Sequence, residues 1–199
     1  MKGRRMIIAT TSEYGTDEDT EITSRVTRSI IDNFLKRPSL DDQAIRTIAV
    51  MANNDLAMMR SDSEGHLLCD AAFVFLDRNK ARFLVSGRAA AYHFENGKLV
   101  RRTSAEEADI IGSGMRYEPH VEPVFELKQE QNAFLVTSPA LAQAASDEQL
   151  AETLKASKTP EEWMEKLRAL AGDKEFCAIT AFLPVWRPGP LEKLLGKKE

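Results

Sequence analysis

The sequence predicts an α+β fold in the order strand, two helices, antiparallel strands, two helices, strand. Three observations predict it. Apolar residues recur at helical spacing in two consecutive segments before residue 60, short β-type runs crowd the middle of the chain, and Ser/Thr-led capping motifs open helices near both ends. Runs of helices segregated from runs of strands place sheet and helices in separate layers.

Each element has its own reason. Met6-Ile-Ile-Ala-Thr10 is a short apolar, β-branched run and predicts a buried strand. Residues 11–20 are polar, contain Gly15 and predict a loop. Ile22, Val26, Ile30 and Phe34 then fall four apart, giving a helix that Pro38 ends. Ser39-Leu-Asp-Asp42 predicts a capping box, and Ile45, Ile48, Ala52, Leu56 and Met59 continue at helical spacing. An antiparallel helix pair is the simplest packing of the two. Ala71–Leu76, Ala81–Val85 and Ala91–Phe94 predict an antiparallel meander, with a hairpin at Asn96-Gly97, where a type I′ turn needs tolerance of positive φ. Residues 103–120 are irregular. Val121–Leu127 and Ala133–Thr137 predict two further strands around a polar turn. Ser146-Asp-Glu-Gln149 and Thr159-Pro-Glu-Glu162 open two helices, the second ending at Gly172. Phe176–Leu183 predicts the last strand. The chain divides into one domain, 1–183, and a Pro/Gly-punctuated basic tail, 184–199, expected to be mobile.

Composition bounds the function. The 199 residues are 43% hydrophobic and 29% charged, enough apolar content for a core. Lys plus Arg is 27 against 31 Asp plus Glu, a net charge of −4. That balance argues against a nucleic-acid partner. No stretch is long and apolar enough for a membrane span, and Met6–Ala9 is too short for a signal peptide. Two cysteines, Cys69 and Cys177, predict a reduced, cytoplasmic setting rather than a disulfide scaffold.

Four strings, in order along the chain, carry a family pattern. Asn132-Ala-Phe-Leu-Val-Thr-Ser-Pro-Ala-Leu-Ala-Gln-Ala-Ala-Ser-Asp-Glu-Gln-Leu150 runs without gaps against D-x-L-L-L-C-S-D-G-L-x-D-x-L-S-D-E-E-I. Gly87-Arg-Ala-Ala-Ala-Tyr92 and Asn96-Gly-Lys-Leu99 resemble G-D-S-R-A-Y and the hairpin after it. Gly172–Thr180 resembles G-x-D-N-x-T-x-I-V, and Ile8–Ser12 with Glu21–Arg25 resembles the V-A-D-G strand-loop and E-x-A-S-R helix start. Together they resemble the metal-dependent, type 2C class of protein serine/threonine phosphatases, and the resemblance covers Met6 to Leu183. It implies a β-sandwich of two antiparallel sheets flanked by helix pairs, N-terminally truncated relative to the family. It also implies a two-cation Mn²⁺ or Mg²⁺ site at one end, since hard dications need several carboxylate oxygens.

The family's metal-binding aspartates align with Ser12, Arg88, Pro139 and Lys174, and the glycine of its D-G loop with Glu13. These five are vestigial metal-site positions. An arginine about 5 Å from a dication repels it by roughly 7 kcal/mol at an effective dielectric near 20. The expectation is therefore a pseudophosphatase without metal or catalytic residues, binding a protein partner such as a kinase or phosphoprotein. A homodimer is a second way to cover a sheet edge. The alternative is a divergent Mn/Mg phosphatase whose ligands have moved to Asp17, Glu18, Asp19, Asp173 or Glu175. The bland reading of the first three is an acidic helix start.

Arg88 and Lys174 together would also make a cationic, anion-binding pocket, or else pair with Glu13, Asp173 or Glu175. His66, Cys69, His93, His120 and Cys177 lack the spacing of a zinc site. They are expected as two buried thiols and surface histidines. Neither Ser138 nor Cys177 lies in a recognisable nucleophile setting. Met51, Met58 and Met59 are expected as core filling, and Arg101-Arg102 and 193–198 as solvated surface.

Overall fold

The computed structural model describes residues 5–13, 20–60, 67–95, 97–103, 108–128, 131–185 and 187. The fold is α+β. The elements are β1 Arg5–Glu13, α1 Thr20–Lys36, α2 Asp42–Arg60, β2 Cys69–Asp77, β3 Lys80–Ser86, β4 Ala90–Glu95, β5 Lys98–Arg101, β6 His120–Val121, β7 Phe125–Glu126, β8 Gln131–Thr137, α3 Pro139–Ala144, α4 Asp147–Lys155, α5 Pro160–Ala171 and β9 Ala178–Pro184.

Two antiparallel sheets stack between two helical layers. The first has the order β1-β2-β3-β6, with β7 also pairing β3, and the second β5-β4-β8-β9. Strand alternation divides the core into three parts. Ala71, Phe73 and Phe75 of β2 pack under Ile30, Phe34, Ile45 and Leu56 of the α1–α2 pair. Ala72, Val74 and Leu76 face the other way, meeting Phe83, Phe134 and Val136 between the sheets. Tyr92 and Leu135 then pack against Leu150, Trp163 and Leu167 of α4 and α5. Sheets covered on both faces explain why β2 is apolar at nearly every position.

Local chemistry sets the boundaries. Ser146 Oγ accepts from Gln149 N–H while the Gln149 side chain accepts from Ser146 N–H, a complete capping box. Gly97, at φ +80°, closes the β4–β5 hairpin, whose last pair is Glu95 with Lys98.

Several expectations need correction. β2 and β3 pair, but β4 leaves for the second sheet, so the middle strands are not one meander. Val121–Leu127 is two short strands, β6 and β7, with Pro123 between them unable to donate to a ladder. β7 and β8 belong to different sheets. Helix α2 is capped by Asp41, whose Oδ2 accepts from Gln43 and Ala44 N–H, while Ser39 Oγ accepts only from Asp41 N–H. α3 is an additional helix, started by Pro139. β9 begins at Ala178 rather than Phe176.

Met51 is 43% and Met58 69% exposed, leaving Met59 alone of the three packed on the core. Cys69 is buried but Cys177 is exposed. His93 is buried, not a surface residue. Arg102 pairs with Glu95 at 2.7 Å and lies 5.1 Å over the Phe125 ring. His66 and most of the tail lie outside the described residues. No described helix is long and apolar enough to cross a membrane.

Candidate functional site

The strand directions gather one end of the sandwich. β1 ends there, β2 starts there opposite it, with Ser12 paired to Asp70. The β3–β4 turn, Gly87-Arg88, follows from Ser86, which pairs with Ala71. β8 ends there at Thr137, opposite Ala178 at the start of β9. The backbone positions of Ser12, Glu13, Arg88 and Pro139 therefore share one end. Lys174 lies on the segment that leads into β9.

Asp70 organises this end, and sequence reasoning missed it. It is 2% exposed. Counting by two from Ala72, Val74 and Leu76 puts it on the strand face that looks between the sheets. Its Oδ1 accepts the Arg88 backbone N–H at 2.7 Å. The Gly87 position, at φ +66°, is pressed against that same carboxylate, and a Cβ there would overlap Asp70 Oδ1. Glycine is needed for the backbone conformation and for the close approach. The turn is tied further by Gly87 N–H and Ser86 Oγ–H, both donating to the Asp109 carbonyl, at 3.1 and 2.6 Å. The signal for Asp70 was available: an acid in phase with the inward residues of an otherwise apolar strand.

The other wall is a hydroxyl corner. Ser138 is buried, and its Oγ accepts from Cys177 N–H at 3.1 Å, while Ser138 N–H donates to Cys177 O at 2.8 Å. Thr137 Oγ1 donates to the carbonyls of Ser138 and Cys177. Pro139 starts α3 directly after. Ser138 has no described base beside it.

Arg88 and Lys174 are both exposed. Arg88 is exposed on its turn, so water screens its charge and the repulsion of a cation is much weaker than a buried arginine would give. Lys174 is exposed and lines a groove of about 660 Å³ between β1 and β9, alongside Arg168, Glu175 and Cys177. Among the described residues Lys174 forms no ion pair. Asp173 and Glu175 are exposed. Asp17, Glu18, Asp19 and the Glu13 side chain lie outside the described residues. His120 pairs with Glu122 at 2.8 Å, away from both cysteines.

The donor set can be compared with what a two-cation centre needs. Among the described residues this end supplies one buried carboxylate, and one of its oxygens is committed to a backbone N–H. Two hard dications need several carboxylates.

This architecture is the fold of the PPM, type 2C-like, serine/threonine phosphatases. The serine/threonine phosphatase of S. agalactiae superposes with a TM-score of 0.76 at 15% identity, covering 92% of this chain and 89% of that one. The PPM Ser–Thr phosphatase of Mycobacterium smegmatis gives 0.68 at 13% identity, over 92% and 94%. PppA, a key regulatory component of T6SS in Pseudomonas aeruginosa, gives 0.69 at 14%, over 89% and 86%. At such identities the likeness is one of fold. No protein-family model and no curated protein sequence matches the chain.

Proposed function

We propose that this protein is a pseudophosphatase: a phosphatase-fold module that has given up hydrolysis and acts in the cytoplasm by binding a partner in phosphorylation signalling, a kinase or a phosphoprotein. The observation that carries the reading is the chemistry at the convergent end of the sandwich. The positions where the family pattern has metal-binding aspartates hold Ser12, Arg88, Pro139 and Lys174, and the buried carboxylate nearby, Asp70, is engaged in holding the Arg88 turn. Loss of donors supports this more than repulsion does, since Arg88 is exposed. The similarity in fold to PppA, itself described as regulatory, is compatible with such a role.

A second reading rests on Asp70. A buried carboxylate facing between the sheets is a starting donor for a Mn²⁺- or Mg²⁺-dependent phosphoprotein phosphatase, with the acidic run Asp17-Glu-Asp19 as the source of the rest. One experiment separates the two. The protein is given an aryl phosphate and a phosphothreonine peptide with millimolar Mn²⁺, and its melting temperature is followed against Mn²⁺. The pseudophosphatase reading expects neither turnover nor a metal-dependent shift. Turnover abolished by a chelator and by Asp70→Asn rejects it.

A further inference from the structure

The first strand is the terminal strand of its sheet, hydrogen-bonded to β2 on one side only. It is nine residues long, and no described residue pairs with its outer edge. Long edge strands are usually protected by proline, a bulge or charges along their length. β1 has no proline, and its register with β2 runs unbroken from Arg5–Asp77 to Glu13–Cys69. Its charges sit only at the two ends, Arg5 and Glu13, with Met-Ile-Ile-Ala-Thr-Thr-Ser between them.

That pattern is self-complementary about its centre. Laid antiparallel against a copy of itself with Ala9 opposite Ala9, β1 puts Arg5 opposite Glu13 at both ends. The same register sets Ile7 against Thr11 and Ile8 against Thr10, β-branched pairs that favour strand association. In-register parallel pairing instead brings like charges together at each end. A slip by two residues in the antiparallel arrangement leaves the charges unmatched. A two-fold axis through Ala9 is also the commonest symmetry of soluble oligomers, one patch meeting itself.

We infer that the occupant of this edge is a second copy of the chain, joined β1 to β1 antiparallel about Ala9, making the first sheet continuous across a homodimer. β9, the terminal strand of the second sheet, runs beside β1 and leaves Ile179 42% exposed. A strand added to β1 lies along this apolar side chain. The inference goes beyond the proposed function and does not depend on it: whether or not the protein hydrolyses phosphate, the edge chemistry is the same.

A charge swap tests it. The full chain is examined by sedimentation equilibrium from sub-micromolar to tens of micromolar, as wild type, Arg5→Glu, Glu13→Arg and the combined variant. Wild type is expected to be a dimer. Each single swap, which sets like charges opposite each other at both ends, is expected to weaken it about tenfold or more, and the combined swap to restore it. Arg5 lies 3.6 Å from Asp77 in its own sheet, so Arg5→Glu alone carries a risk to folding. Glu13→Arg and the restored double variant keep the result readable, with far-UV circular dichroism and melting recorded for each. A wild-type monomer over the whole range overturns the inference. So does a dimer indifferent to either swap, or one the combined swap fails to restore.

Discussion

At the Gly87 end of the sandwich, a buried carboxylate meets a backbone N–H at 2.7 Å and fixes a turn. Toward the opposite end, the buried His93 ring is wedged between Phe125 and Phe134, with centroids 4.9 and 4.7 Å away. There His93 Nε2 meets Asn132 Oδ1 at 3.3 Å, while His93 Nδ1 and Arg102 Nε have no hydrogen-bond partner among the described residues. Asp70 has an anion's natural partner, a backbone donor in a tight turn. His93 has only a neutral amide and aromatic faces, with Glu95 Oε2 at 3.9 Å already held by Arg102. A buried titratable group can brace a fold or burden it, and the difference lies in whether its charged form is solvated by the protein.

The largest expected effect breaks the weaker end by pH. Burial, chiefly, lowers the His93 pKa from 6.5 to about 4, with Arg102 also lowering it and Asn132 and Glu95 opposing. The unfolded chain therefore binds a proton that the folded chain refuses between those values. Stability from this group is complete above pH 6.5 and falls as pH drops toward about 4. Over that window the loss amounts to about 3 kcal/mol. Urea unfolding at successive pH values reads it directly. His93→Gln, which does not titrate there, is expected to flatten that part of the profile while lowering the baseline. An unchanged slope in this variant would assign the titration elsewhere.

The next effect strikes the stronger end. Gly87→Ala imposes a Cβ at φ +66° and drives it into Asp70 Oδ1, with Ile110 Cγ1 3.3 Å away. The expected cost is about 2–3 kcal/mol in chemical denaturation. If the clash with the carboxylate is the main part, Asp70→Ala will cost less in the Gly87→Ala background than in wild type, and the double-mutant cycle will show coupling. Strict additivity would mean that backbone strain alone sets the penalty.

Much of this was legible in the sequence, and the gaps have physical causes. Helical period and capping chemistry are local, so α1, α2, α4 and α5 could be read from spacing and from Ser146 or Thr159. Which strands share a sheet is not local. Nothing in Ala91–Phe94 distinguishes pairing with β3 from pairing with β8, and the expected meander failed there. α3 was hidden because Pro139-Ala-Leu is too short to show a period. At the site, Gly87, Arg88 and Pro139 were singled out through strings of neighbours, which mark position along the chain. Asp70 and His93 carry no such string. Both sit at inward positions of strands, in phase with Ala72 and Val74 or with Ala89 and Ala91. The two-residue period could have exposed them as buried polar groups, but not told which would find a partner. That depends on a turn and on a strand far away in sequence.

The smallest effect comes from the hydroxyl corner that shares the Asp70 end. Ser138→Ala removes the oxygen that accepts from Cys177 N–H at 3.1 Å. Ser138 is buried, but Cys177 is exposed, so water can replace the lost acceptor. The Ser138 N–H to Cys177 O bond and the Thr137 hydroxyl still tie β8 to the approach of β9. The expected loss is therefore about 0.5–1 kcal/mol, near the net worth of one hydrogen bond and below the cost of a buried unsatisfied donor. Native-state hydrogen exchange should show protection falling at the Cys177 amide, with the amides of Leu135 and Phe134 unchanged. A loss of 2 kcal/mol or more, above the range for a water-replaceable bond, would mean that this corner is as dry as the His93 pocket. The contrast between the two ends would then rest on Asp70 alone.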